Sequence, residues 1–140
     1  MEAGLEHLSW AGGTLRNVDL LLVVVEAQAK VLLTAARIIA LARQLGIPRT
    51  LLVGNRVRPG DRPVLDAFAI EQGSELLGSI PDDDALRHAD RQGVCPLDHA
   101  PQAVAVQAIS DLAATLEGRF MVKSEAPDGR GRSADWAIRP

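Results

Sequence analysis

The residues best suited to bind a ligand follow two short apolar runs. Asn55 and Arg56 come directly after one run, and Pro81 and Asp82 come after the other. A carboxamide presents a donor and an acceptor in one plane, which complements N6 and N7 of adenine. Asn55 could therefore read an adenine, with the backbone beyond Pro81 at another edge of the base. On composition alone, a turn at Asn55 and an N-cap at Asp82 or Asp83 are the simpler interpretation.

Other polar clusters give weaker signals. Glu2, Glu6 and His7 could hold Mg²⁺ through water, but their spacing is not diagnostic, and a solvated or interface loop is the preferred interpretation. Cys95 is the single cysteine, which excludes an intrachain disulfide and a Cys-x-x-Cys site, so we expect a partly buried structural thiol. A glycine-rich phosphate loop, G-x-x-x-x-G-K-[ST], is absent from these 140 residues.

Apolar runs and amphipathic segments alternate along the chain and must position these residues. They predict strands at 18–26, 49–55 and 76–80, and helices at 28–45, 61–72, about 83–92 and 101–117. This alternation is typical of βαβ units, so we expect an α/β fold with a parallel sheet buried on both faces and helices on both sides. Ligands bind such sheets at the carboxyl ends of the strands.

Composition limits the classes of function. Hydrophobic residues make up 47% of the chain, which excludes a wholly disordered protein, and the net charge of −3 without a basic stripe argues against nucleic acid as a partner. No signal peptide and no membrane span are predicted, so a cytoplasmic setting is expected. We predict one domain at 1–118 and a flexible tail at 119–140.

Four segments occur in the order typical of the MinD/ParA superfamily of P-loop ATPases. They are EAGLEHL at 2–8, VDLLLVVVE at 18–26, VGNRV at 53–57 and LGSIPDD at 77–83. The first segment most closely resembles the carbon monoxide dehydrogenase maturation, or nickel-insertion, ATPases. The resemblance covers about residues 1–117. It implies a partial three-layer α/β/α parallel sheet, like that of a P-loop NTPase whose N-terminal half is missing.

The resemblance also implies roles for individual residues. Asn55 matches the family's adenine-reading residue and Arg56 its basic neighbour, while Pro81 and Asp82 match the segment along the other edge of the adenine. The EAGLEH segment matches the switch region that follows the Walker B strand. The family acts as ATP-dependent dimers that couple hydrolysis to release of a metal or a partner.

The sequence departs from this family pattern in ways that bear on activity. The phosphate loop, the Walker B aspartate and the Cys-x-Cys metal motif of the nickel subgroup are all missing, which weighs against ATP hydrolysis, Mg²⁺ binding and nickel binding by this chain. We expect ATP or ADP to bind weakly, in about the millimolar range.

Several partners and alternative functions remain open at this stage. Residues 18–25 would form a hydrophobic sheet edge, so we predict a homo-oligomer or a separately encoded N-terminal half, together with a metalloenzyme client. The alternatives are a non-enzymatic interaction module that uses this edge or the acidic helix at 82–90, and a gene fragment with an internal start.

Overall fold

The computed structural model describes residues 18–120, in which three parallel strands alternate with helices. The strands are β1 (Leu21–Val25), β2 (Thr50–Val57) and β3 (Glu75–Pro81), in the spatial order β1-β2-β3. The helices are α1 (Ala29–Gln44), α2 (Arg62–Glu71), α3 (Asp84–Gln92), α4 (Pro96–His99) and α5 (Val104–Phe120). The predicted α/β class with a parallel sheet is confirmed.

The main core lies between α1 and α2 and one face of the sheet. Its largest fully buried side chains are Val25 of β1, Ile39 of α1, Leu52 of β2 and Leu65 of α2. Because aromatic residues are only 3% of the chain, branched aliphatic side chains fill this layer. Packing of these side chains holds both helices in position along the strands.

Helix α5 packs against the opposite face, over β3. A Cβ atom at Gly78 would lie 2.6 Å from Leu112 Cδ2, so the absence of a side chain lets the helix approach the strand closely. At the far end, Arg119 donates to both carboxylate oxygens of Glu75 at 2.5 and 3.0 Å. Helices therefore cover both faces of the sheet, as predicted.

Strand β1 corrects the prediction of burial on both faces. Val23 and Val25 are buried, whereas Leu22 is 37% and Val24 is 57% exposed. The physical reason is that α1 and α2 cover one face, and α5 lies over β3 rather than β1; no other element within 18–120 covers the second face of β1. Of the three strands of the described sheet, only the central strand β2 has consecutive buried residues, at 51–54, and is therefore covered on both faces.

Element boundaries shift by a few residues. β1 begins later than expected, β2 ends at Val57 rather than 55, and α5 begins at Val104 rather than 101. Helix α5 continues to Phe120, past the predicted helix end at 117, and the short helix α4 was not predicted. The predicted helix stops at Gly46 and Gly93 have left-handed backbones, with φ of 73° and 65°.

Two predicted segments cannot be compared with the structure. The loop with Glu2, Glu6 and His7, and residues 121–140 of the predicted tail, lie outside the described residues. Within residues 18–120, no helix combines the length and the apolar character needed to cross a membrane.

Candidate functional site

The carboxyl ends of β2 and β3 meet at one rim. Val57 is paired with Pro81 in the sheet, and the Asp82 N–H donates to the Val57 carbonyl oxygen at 3.0 Å. These bonds bring Asn55, Arg56, Pro81 and Asp82 to the same rim. This is the edge at which parallel sheets bind ligands.

A β-bulge shapes the β2 side of this rim. Between the paired residues Gly54 and Val57, β2 has two residues, Asn55 and Arg56, where β3 has one. Arg56 has a φ of 52°, and it is the one residue other than glycine with a positive φ in the described chain. Such backbones are uncommon for side-chain-bearing residues and are often found at functional sites. No signal in the sequence would have predicted the bulge or the positive φ of Arg56.

Asn55 is half-buried, and its carboxamide makes no hydrogen bond with another described residue. Within residues 18–120, both its donor and its acceptor are left without a hydrogen-bond partner at the rim. A turn-closing asparagine would instead hydrogen-bond its own backbone. The Asn55 side chain makes no such local bond with a residue in 18–120.

The Asp82 carboxylate is engaged by arginine side chains from two elements. Arg58 Nε donates to it at 3.0 Å, Arg87 of α3 also donates to it, and Arg56 Nε lies 3.9 Å away. The Asp82 side chain is 13% exposed. The Arg58 hydrogen bond, followed by the charges of Arg87 and Arg58, lowers the pKa of Asp82 despite its burial. The carboxylate is thus held by protein groups.

Asp83 is the N-cap that the sequence predicted at Asp82 or Asp83. Its Oδ1 accepts from the Ala85 N–H at 2.8 Å, and its Oδ2 accepts from the Ala105 N–H at 3.1 Å. These two backbone bonds, the Ala85 bond first, lower the pKa of Asp83. One side chain therefore caps α3 and joins it to the first turn of α5.

A polar pocket of about 150 Å³ lies between the ends of β1 and β2. It is lined by Glu26, Ala27, Gln28, Arg56, Arg58 and Asp61. Gln28 Nε2 donates to Glu26 at 2.8 Å, and Arg56 is 3.9 Å from the same carboxylate. Arg56 is part of this lining, whereas its neighbour Asn55 is not.

The electrostatics of the rim do not suit a polyphosphate. Its arginines are Arg56, Arg58 and Arg87, and its carboxylates are Glu26, Asp61, Asp82, Asp83 and Asp84. Each of these arginines already has an acidic partner within 4 Å. A triphosphate would have to displace those partners, so the rim is better suited to an uncharged group such as a base.

Metal-binding chemistry has little support in the described part of the chain. Among residues 18–120, no group of three or more His, Cys, Asp or Glu side chains is arranged to hold a metal ion. Cys95 corrects a prediction, because it is exposed at the start of α4 rather than partly buried. The reason is that α4 lies outside both layers of the core.

Comparison with known proteins places this geometry in a family. Over 119 residues the chain is 40% identical to the carbon monoxide dehydrogenase accessory protein CooC of Rhodospirillum rubrum, covering 84% of this chain and 43% of that protein. It is 42% identical over 87 residues to an uncharacterized ATP-binding protein of Methanocaldococcus jannaschii, covering 61% of this chain and 33% of that protein. These matches support a portion of a MinD/ParA-family P-loop ATPase, close to CooC, as the resemblance implied.

The fold agrees with this assignment. The MinD cell division protein of Aquifex aeolicus superposes with a TM-score of 0.65 at 23% identity, covering 77% of this chain and 48% of that one. No protein-family model matches the chain. The chain spans less than half the length of the curated MinD/ParA-type relatives it matches. That partial coverage fits the C-terminal portion of the family fold.

Proposed function

We propose that this chain is an adenine-nucleotide-binding domain of the MinD/ParA type, in which residues 18–120 form the side of the site that meets the base. The observation that carries the proposal is the common rim of Asn55 and Pro81, fixed by pairing of β2 with β3 up to their last residues. The ATP-binding description of a relative supports the same ligand class.

The chemistry of Asn55 fits adenine. Its side-chain N–H would donate to adenine N7, while its oxygen would accept from the N6 amino group. Guanine carries an acceptor, O6, in place of that amino group, so the second bond would be lost. A bidentate contact of this kind discriminates between bases by about 1–3 kcal/mol, or roughly 5- to 150-fold.

The phosphates do not fit this part of the site. The 140 residues contain no glycine-rich loop followed by lysine, and the arginines of the rim are held by carboxylates. We propose that contacts to the phosphates and Mg²⁺, and any hydrolysis, require residues outside this sequence, supplied by a longer chain or a separate N-terminal half. A metalloenzyme client, as the description of CooC suggests, belongs to that complete assembly.

The test is a titration of the isotopically labelled chain with adenosine, ATP and guanosine, followed by NMR. The key variant is Asn55→Asp, which keeps the side-chain shape and exchanges a donor for an acceptor. The matched control is Gln44→Glu, the same amide-to-acid change at the exposed end of α1.

We expect adenosine and ATP to shift the amides of residues 54–57 and 79–82, with dissociation constants in the millimolar range and within about threefold of each other. Asn55→Asp should weaken adenosine binding at least about fivefold, while Gln44→Glu should leave it unchanged. Equal binding of adenosine and guanosine, or shifts confined to other regions, would contradict the proposal.

A second candidate function is a protein-interaction surface on β1. The exposed side chains of Leu22 and Val24 form an apolar face on a strand at the edge of the described sheet. Homo-oligomerisation through this face is the simplest form of the proposal. The acidic helix is less suitable, because Asp82 and Asp83 are already engaged by arginines and backbone amides.

A further inference from the structure

We infer that Asp82 is a positioning residue for the base site, and that its carboxylate holds the Asn55–Arg56 bulge in the conformation that presents Asn55. This inference rests on the proposed function. It differs from the role implied by the family resemblance, in which Asp82 lines the base itself. The reason is that its carboxylate faces arginines of the protein.

Asp82 is tied to the segment that includes the bulge and the residues directly after it. Its N–H donates to the Val57 carbonyl oxygen at 3.0 Å, and its carboxylate accepts from Arg58 Nε at 3.0 Å. The same carboxylate lies 3.9 Å from Arg56 Nε, within the bulge. Three consecutive residues of β2 and its following loop therefore contact one residue at the end of β3.

The bulge needs such support. Arg56 has a φ of 52°, which side-chain-bearing residues rarely adopt unless the surroundings hold them there. Among the residues that the structure describes, its own side chain reaches two acidic partners, Asp82 and Glu26, each at 3.9 Å. The contact of Arg58 with Asp82 is shorter than that of Arg56. Because Arg58 is two residues from Arg56, holding Arg58 in place also restricts the backbone of the bulge.

Helix α3 supplies a second arginine to the Asp82 carboxylate. Arg87 donates to Asp82 and also to Asp84 in the first turn of the same helix. The carboxylate thus has fixed partners on both sides, Arg58 from the β2 end and Arg87 from α3. Removing its charge should loosen the bulge without opening the core, since none of these side chains belongs to the buried cluster.

The experiment compares Asp82→Asn with Asp66→Asn in the full chain. Asp66 also accepts from an arginine, Arg62, at 2.9 Å, but on the exposed surface of α2. Each variant is titrated with adenosine and with guanosine by NMR, and its urea midpoint is measured. The ratio of the two dissociation constants is the readout that a merely structural role would not change.

We expect Asp82→Asn to weaken adenosine binding several-fold and to bring the guanosine-to-adenosine ratio towards one, while Asp66→Asn changes neither. The Asn55 and Arg56 amide signals of the free Asp82→Asn protein should shift or broaden. Arg58→Met should reproduce both effects, and the double variant should be no worse than either single one, because the two side chains act as one unit.

The outcomes separate the two proposals. If the unaltered chain binds neither adenosine nor ATP, the proposed function fails, and the positioning role fails with it. If the unaltered chain prefers adenosine and Asp82→Asn retains that preference, only the positioning role is overturned. Should Asp82→Asn prove unfolded, Arg58→Met decides, since an unchanged preference in that variant also overturns it.

Discussion

Gly54→Ala should destabilise the fold at the point where the core meets the candidate site. Gly54 is the last buried residue of β2 before the bulge, and it faces Leu65 of α2. An added Cβ atom would lie 2.8 Å from Leu65 Cδ1, 3.0 Å from Val57 Cγ2 and 3.2 Å from Ser79 Cβ. Ordinary contacts begin near 3.4 Å, so three neighbours would have to move.

The magnitude follows from two opposing effects. Overpacking a well-filled core costs about 1–3 kcal/mol. Replacing glycine by alanine also restricts the unfolded chain, which stabilises the fold by about 0.4–1 kcal/mol. The net expectation is a loss of about 1–2 kcal/mol in the free energy of unfolding. With a urea slope of about 1–2 kcal/mol per molar, the midpoint should fall by roughly 1 M.

A double-mutant cycle tests the cause. Leu65→Ala alone should cost about 2–5 kcal/mol, because Leu65 is fully buried. In that background the closest clash is gone, so Gly54→Ala should cost less than about 1 kcal/mol. Gly118→Ala in α5 is the control, since a Cβ there meets nothing within 4 Å and alanine favours the helix. An equal cost of Gly54→Ala in both backgrounds, measured by urea unfolding, would refute the assignment of Leu65 as the limiting neighbour.

Three further predictions concern the cap, the exposed strand and acid stability. Asp83→Ala should lower the free energy of unfolding by about 0.5–2 kcal/mol in thermal melts, whereas Asp83→Asn should retain the cap. Replacing Leu22 and Val24 by threonine should reduce self-association in sedimentation experiments while keeping the circular dichroism spectrum. Arg58 lowers the pKa of Asp82 in the folded protein. The ionised Asp82 carboxylate therefore stabilises the fold above the unfolded pKa of about 3.9, and this stabilisation is lost as pH falls through the folded pKa. Urea midpoints from pH 5 to 2 should therefore fall less steeply in Asp82→Asn.

Strand and helix identities were predictable because the signals for them are local. Short apolar runs ended by polar or turn residues predicted all three strands, and Gly46 and Gly93 marked the ends of α1 and α3. Helix α4 has only four residues, which is too short for a helical period to show. The carboxyl ends of parallel strands lie at the same edge of a sheet. The common rim of Asn55 and Pro81 was therefore also predictable from the sequence.

The exposed face of β1 and the bulge were not predictable, because both depend on distant residues. An apolar run does not indicate whether a helix later in the chain will cover its second face, and α5 packs over β3 instead of Val24. Nothing near Arg56 indicates a positive φ, since glycine or asparagine would be the usual residue. The bond from Arg58 to Asp82 joins residues 24 positions apart.

The arrangement of charges at the rim bears on which part of a nucleotide the proposed site would bind. Arg56, Arg58 and Arg87 are the arginines of this rim, and each is paired with a carboxylate that would compete with a phosphate. Under the proposed function, these paired arginines would support the backbone around the base and would not bind the triphosphate. Phosphate binding would then come from a separate loop with its own amide groups and lysine. On this reasoning, added salt should change the affinity of this chain for adenosine and for ATP to a similar small extent, because neither ligand would be held by a free cation of the rim.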